Sequence, residues 1–555
     1  MLANIKYNPL IALVLLCAIL MASCEKQQGI GADPYAGGRK IAPFAFVSKS
    51  TTPDIVVAGT VLNLQVRGLA SLKDDFKLYV NEVEAELKSY TDTTIQFAVP
   101  LTASTGSVWI TSKGETFFGP ILKVGGKVSV DATFKIINGA AALQGERTAT
   151  VYDLEKLPSG RFWLGGSFSN FEQKGTTALP IGGIVQLDAN GAYLTTDVNF
   201  GKAALGAAKT IYSISRISEG NQVGKFIVAG SFNGYSNSRN NRLTLNNIAR
   251  LNANGRLDTM VTTEIINPKP QEISKNADTI PTFNAGVDGP VRKAFVFGEQ
   301  IYIVGNFQNF KRIYYPNSTY DEKVYDVTRM LQLVRVNEDG SMDSTFHYNK
   351  ANRQSATAAN GVILDAAMQT DGKLILAGSF TSFNGVTVNR LVRLNLDGSV
   401  DLSFKSGLGA DGDINSIRYN ENTNKFTLSG SFTRFNGKAS SGIALLNADG
   451  SNVDSFNTEQ ITGGMATFAA QLNNGKIIVA GSFNKYGNYL RQGFMILEAN
   501  GKLAVGYNNT GGFQGRIYDM METAVGNDTQ VILVGEISRF NSMFPKNVLR
   551  LIISN

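Results

Sequence analysis

Phe426-Thr427-Leu428-Ser429-Gly430-Ser431-Phe432, followed by Phe435-Asn436-Gly437 and a turn at Ala448-Asp449-Gly450, is the stretch whose reading decides the fold. Its central phrase occurs seven times: Gly165-Gly166-Ser167-Phe168, Ala229-Gly230-Ser231-Phe232, Val304-Gly305-Asn306-Phe307, Ala377-Gly378-Ser379-Phe380, Ser429-Gly430-Ser431-Phe432, Ala480-Gly481-Ser482-Phe483 and Val534-Gly535-Glu536-Ile537. Around the fifth copy, 411–419 reads as one strand, 426–432 as a second, 443–447 as a third and 453–456 as a last, with turns between them. Glycine inside a strand weakens it, so its recurrence needs a cause; crowding between neighbouring units near a central axis is the expected one.

The motif glycines lie 64, 75, 73, 52, 51 and 54 residues apart, a four-stranded unit with loops of varying length. That spacing fits propeller blades better than helical or leucine-rich repeats. The chain stops at 547–555, which matches 389–395 without its final turn and strand. The missing strand stands before the first repeat, where Val130-Asp131-Ala132-Thr133-Phe134 matches Val400-Asp401-Leu402-Ser403-Phe404. The prediction is an all-β chain with a seven-bladed β-propeller closed by an N-terminal strand, since closure removes two exposed sheet edges. Arg550 should then meet Asp131 as Arg393 meets Asp401, Arg335 meets Asp343 and Arg250 meets Asp258. Asp131, Asp197, Asp258, Asp343, Asp401 and Asp454 read as equivalent positions, and a residue repeated in every unit points to structure.

Ahead of the repeats, 43–124 carries short alternating strands at 56–58, 61–66, 76–80, 84–87, 94–99 and 106–111, the pattern of a small immunoglobulin-like β-sandwich. Residues 1–23 read as a lipoprotein signal peptide: Lys6, an apolar run from Leu10 to Met21, then Ala22-Ser23 before Cys24, the predicted lipidation site. The chain has two cysteines, Cys17 and Cys24, so the mature chain has no intramolecular disulfide to make. Residues 24–40 are polar and glycine-rich, a flexible tether. The domains are therefore 1–23, 24–40, 41–124 and 125–555. Glu25, in place of an aspartate after the cysteine, favours the outer membrane and a surface-exposed ectodomain.

Two resemblances follow from these residues. Gly59-Thr60-Val61-Leu62-Asn63-Leu64, Gly68, 94–100 and 106–111 resemble IPT/TIG domains. The Gly-Ser-Phe, Phe-Asn-Gly and Leu-Asn-x-Asp-Gly-Ser-x-Asp-x-Ser-Phe combination over about 125–555 resembles the delta-60 repeat family. Together they resemble surface lipoproteins of the Bacteroidetes group, which implies an architecture and a location and carries over no catalytic residue.

Chemistry is sparse. The net charge of +7 is spread over 555 residues with no basic patch, so nucleic acid is not an expected partner. His347 is the single histidine, which leaves no Cys/His metal site and no catalytic Cys–His pair. It reads as a surface or blade-edge residue. Asn395-Leu396-Asp397-Gly398-Ser399-Val400-Asp401 offers alternating oxygens but reads as a capped turn rather than a calcium loop. No metal or other cofactor is expected. The departures from repetition are the candidate binding surface. The insertion 311–329 brings Tyr314, Tyr315, Tyr320 and Tyr325, and the loop 234–246 brings Tyr235 and Arg242; both follow equivalent strands, so both should emerge on one face. The reading is a non-enzymatic cell-surface binding or adhesion lipoprotein, monomeric in its ectodomain, recognising polysaccharide or an envelope protein. The alternative is a polysaccharide hydrolase or lyase using paired carboxylates, for which Asp321, Glu322 and Asp326 sit in a single insertion and make no cross-ring pair.

Overall fold

Each repeat folds as an antiparallel sheet because its apolar residues alternate with turn residues and its middle strand is buried on both faces. In the fifth, Ile414–Asn420, Lys425–Gly430 and Ile443–Asn447 pair in that order, and Phe426 to Gly430 are all buried. Each fully buried Leu, Ile or Phe contributes about 1.5–3 kcal/mol of transfer free energy. The computed structural model describes residues 44–554 apart from 74, 147, 237–241, 264–277 and 320–321. The predicted signal peptide, the tether, Cys24 and Tyr320 lie outside the described residues.

Seven such sheets follow one another, with inner strands Thr150–Lys156, Thr210–Arg216, Val291–Phe297, Ile363–Met368, Ile414–Asn420, Ala466–Gln471 and Phe513–Val525. Consecutive inner strands touch, and the last touches the first. Val128–Val130 joins the last sheet through Val130↔Leu551, as the unfinished C-terminal repeat predicts. The chain is all-β with a propeller-like arrangement. Among the described residues helical structure is confined to short 3-10 turns at Leu69–Leu72 and Tyr315–Asn317.

The predicted fourth strand is mostly reduced to one bridge, as in Leu394↔Val400, Leu446↔Asn452 and Leu497↔Leu503. Where the chain leaves that bridge, a buried ion pair forms between the third strand and its continuation: Arg250–Asp258 at 2.7 Å, Arg335–Asp343 at 2.7 Å, Arg393–Asp401 at 2.9 Å and Arg550–Asp131 at 2.8 Å. The same guanidinium donates to a turn carbonyl of the following sheet, Ala448 from Arg393 at 2.9 Å and Ala189 from Arg550 at 2.7 Å. Asp454 and Asp197 do not belong to this set. Val453 donates its N–H to the Leu445 carbonyl as Asp401 does to Arg393, and Leu194 pairs opposite Gln186. The two repeats align without a gap, so Val453 takes the place of Asp401 and Asp454 that of Leu402, and an apolar residue faces the apolar Leu445.

The motif glycines are required, but the crowding differs from the prediction. A Cβ on Gly430 would stand 2.0 Å from the Asp413 carbonyl oxygen, on Gly230 2.0 Å from that of Thr210, and on Gly535 1.9 Å from that of Arg516. The obstacle is the inner strand of the same sheet, not a neighbouring unit.

Residues 45–125 form two further sheets around their own core, which includes Leu64, Phe97, Val108 and Leu122. The predicted 84–87 strand is two: Val83–Glu84 pairs with Lys77–Val80, whereas Glu86–Tyr90 pairs with Thr94–Ala98, so the chain changes sheet at buried Ala85. These sheets rest against the sixth and seventh repeats, with Thr105 N–H donating to the Asn509 carbonyl at 3.0 Å and Asn509 Nδ2 to the Val124 carbonyl at 3.1 Å.

Candidate functional site

Every inner strand carries a β-bulge at the same place, opposite the motif glycine, where pairing skips one residue, as between Val151 and Asp153 or Ile517 and Asp519. A bulge re-aims the side chain it carries. The seven skipped residues are Tyr152, Tyr212, Arg292, Leu364, Asn415, Thr467 and Tyr518. All seven line one recess of about 210 Å³ at the centre of the ring.

Tyr152 makes edge contacts with Tyr212 (centroids 4.8 Å apart) and Tyr518 (4.7 Å), so three rings form one wall. Arg292 lies over Tyr212 at 5.3 Å and Arg516 over Tyr518 at 5.0 Å, within cation–π range. Burial pushes the Tyr152 and Tyr518 hydroxyls above the ordinary phenol value, so both are neutral donors at physiological pH.

Polar residues that directly follow four of the bulges close the recess from below. Asp153 accepts the Ile214 N–H at 2.6 Å and Lys293 Nζ at 2.9 Å; Asp365 accepts the Ile417 N–H at 3.0 Å and Arg418 Nη1 at 2.8 Å; Asp519 accepts the Leu154 N–H at 3.3 Å. Ser213 plays the same part, accepting the Ala294 N–H at 3.2 Å. These groups tie adjacent inner strands together, and their charge-assisted bonds are the stronger kind. Burial pushes the Asp153 carboxyl up, Lys293 pulling it back and Asp519 adding to the rise. Burial, then Asp153 and Asp519, pushes Glu155 up to about 8. Beyond this layer the ring opens into a second cavity of about 500 Å³ that includes Gln471, Asn473 and Glu522.

The residues singled out in the sequence fall elsewhere. Tyr235 is fully buried, its hydroxyl donating to the Gly255 carbonyl at 3.3 Å. It occupies the place of Phe171, Phe383 and Phe435, each three residues after the motif phenylalanine, and so it is a core residue, not a surface one. That spacing was visible in the sequence. Arg242 is placed by its backbone in the strand Arg242–Thr244. Tyr315 is also buried, packed with Ile280 and Ile313, and Tyr325 rests on that cluster beneath Lys311. Tyr314 is 48% exposed and alone among these described tyrosines presents a free ring face. The insertion is a hairpin, Asn309–Ile313 with Tyr325–Arg329. It leaves the sheet beside Gly305, which pairs with Val291 at the start of the inner strand, so it springs from the same end as the recess. His347 is buried beside Phe346 and Phe383 rather than at a surface, and burial pushes it down to about 4.

The recess was missed because its residues share neither type nor motif. The available signal was their position in each inner strand opposite the motif glycine, with three tyrosines at that place and three aspartates directly after it.

Stretches 224–259, 369–404 and 472–503 match the family model described as domain of unknown function (DUF5122) beta-propeller, and 20–120 match domain of unknown function (DUF5008). No curated protein matches the sequence. Among solved structures, the chain is similar to a WD40 β-propeller domain at 13% identity and a TM-score of 0.38, over 75% of this chain and 96% of that one. It is similar to a quinonprotein alcohol dehydrogenase-like protein of Bacteroides thetaiotaomicron at 10% identity and a TM-score of 0.28, over 90% and 96%. It is also similar to an auxiliary nutrient binding protein of the same organism at 10% identity and a TM-score of 0.32, over 92% and 97%. Superpositions this loose bear on nothing this chain does.

Proposed function

We propose that this chain is a non-enzymatic binding lipoprotein of the bacterial cell surface that takes a glycan at the axial recess. Cys24 is its lipid anchor to the outer membrane, 24–40 its tether, 41–124 an immunoglobulin-like module of IPT/TIG type and 125–555 a seven-bladed propeller. The seven sheets, their mutual inner-strand contacts and the strand Val128–Val130 in the last sheet support that division. The observation that carries the function is the delivery of Tyr152, Tyr212 and Tyr518 into one recess by equivalent bulges on three different sheets. Aromatic faces with polar tips suit sugar rings. The axial aspartates accept backbone N–H groups, which supports binding over hydrolysis by paired carboxylates.

The test is a screen of the full chain against neutral and acidic polysaccharides, with product analysis on each hit. Binding that is lost in Tyr152→Ala, at an unchanged melting temperature, is the expected outcome. Released oligosaccharide would replace this reading with the hydrolase or lyase alternative, for which Glu155 is the carboxyl held most strongly in its acid form.

A further inference from the structure

We infer that the axial recess selects the anionic end of an acidic glycan, a terminal sugar bearing a carboxylate or a sulfate ester; this rests on the glycan-binding reading above. Four cations line the recess, Arg292, Lys293, Arg418 and Arg516, against one carboxylate, Asp365. Lys293 and Arg418 are held by Asp153 and Asp365 in the layer beneath. Arg292 and Arg516 have no ion-pair partner among the described residues, and their buried Nε atoms and the Ser416 hydroxyl have no hydrogen-bond partner there. Two guanidinium groups without a carboxylate partner, lining one recess, mark a place for an anion. A carboxylate or sulfate offers acceptors only and matches the planar guanidinium fork. With Arg292 over Tyr212 and Arg516 over Tyr518, the cations flank the wall on which a sugar ring would stack.

Size and closure make the ligand a chain end. The recess, at about 210 Å³, is smaller than the roughly 300–1,000 Å³ that holds drug-sized ligands, so it takes about one ring. The layer of Asp153, Lys293, Asp365 and Arg418 blocks passage to the second cavity, so a polymer cannot thread through. A neighbouring cleft is placed to take the rest of the glycan. Gln514 and Gly515, which immediately precede Arg516, line a cleft of about 600 Å³ between the N-terminal sheets and the sixth and seventh repeats, whose walls offer Asn81, Ser107, Asn484 and Gln492.

The test measures affinity of the full chain for a trisaccharide ending in galacturonate, the same trisaccharide ending in galactose, one ending in sulfated galactose, and one with galacturonate only in the middle. An acidic terminus is expected to bind at least ten-fold tighter than the neutral one, with the internal galacturonate no better than neutral. The comparison of carboxylate with sulfate identifies which anion is preferred. Arg292→Ala combined with Arg516→Ala should bring the preference to near unity while the melting temperature is kept. Equal affinities, or a preference that survives the double substitution, would overturn the inference and leave glycan binding standing. Tight binding of the internal galacturonate would overturn the chain-end part. Binding of none of the four, with no hit in the wider screen, would sink both readings.

Discussion

Arg550 and Asp131, 419 residues apart in sequence, meet at 2.8 Å and are both almost wholly buried, with the Arg550 guanidinium 4.4 Å above the Phe134 ring. The pair joins the last strand of the chain to the segment that precedes the first repeat. It repeats, at the seam of the ring, what Arg393 and Asp401 do inside the fourth sheet.

Removing one partner strands a buried charge, which costs about 3–5 kcal/mol. Arg550→Leu should therefore lower the urea midpoint sharply. Adding Asp131→Val recreates the Leu445 and Val453 pairing of the fifth sheet and should restore most of the loss. Equilibrium unfolding of the two variants checks this; a double variant no better than the single would contradict the exchange of ionic for apolar pairing.

Gly430→Ala forces a Cβ against the Asp413 carbonyl, a contact with backbone that cannot rotate away. Overpacking of this kind costs about 1–3 kcal/mol. Gly512, where the nearest atom to a Cβ is 3.6 Å away, is the control, and Gly512→Ala should melt within a degree or two of the parent.

His347 titrates in the opposite sense to a paired histidine. Burial holds its folded value near 4, below the unfolded value of about 6.5, so its neutral form is the folded one. Stability is full above pH 6.5 and falls as the pH drops toward 4, by about 3 kcal/mol in all, because the unfolded chain binds the proton first. His347→Asn should flatten that part of the stability profile measured by urea unfolding at successive pH values. An unchanged slope would show that another group is responsible.

Tyr314 and Tyr315 should separate although they are neighbours. Tyr315→Ala empties the small core with Ile280 and Ile313, and hydrogen exchange in Asn309–Ile313 should accelerate at least ten-fold. Tyr314→Ala removes an exposed ring and should leave exchange there unchanged.

How much of this was legible beforehand depends on what each residue's role requires. The glycine phrase is periodic because a backbone contact excludes any side chain, and the arginine and aspartate recur because one cannot be buried without the other. Such constraints return from repeat to repeat, the glycine in all seven and the ion pair in four, so they leave a pattern in the sequence. Tyr235 was legible too, three residues after Phe232, although loop composition argued against its place in the core.

The recess left no such pattern. Tyr152, Arg292, Asn415 and Tyr518 occupy equivalent bulges but differ in type, because the bulge requires only an extra residue and leaves the side chain to the ring axis. The sequence by itself determined the repeated sheets, their order and the strand that completes the last one. Only the tertiary structure decided which side chains meet: closing the ring brings inner strands hundreds of residues apart into contact, and it turned three aspartates into ties between sheets while leaving two arginines and three tyrosines facing one cavity.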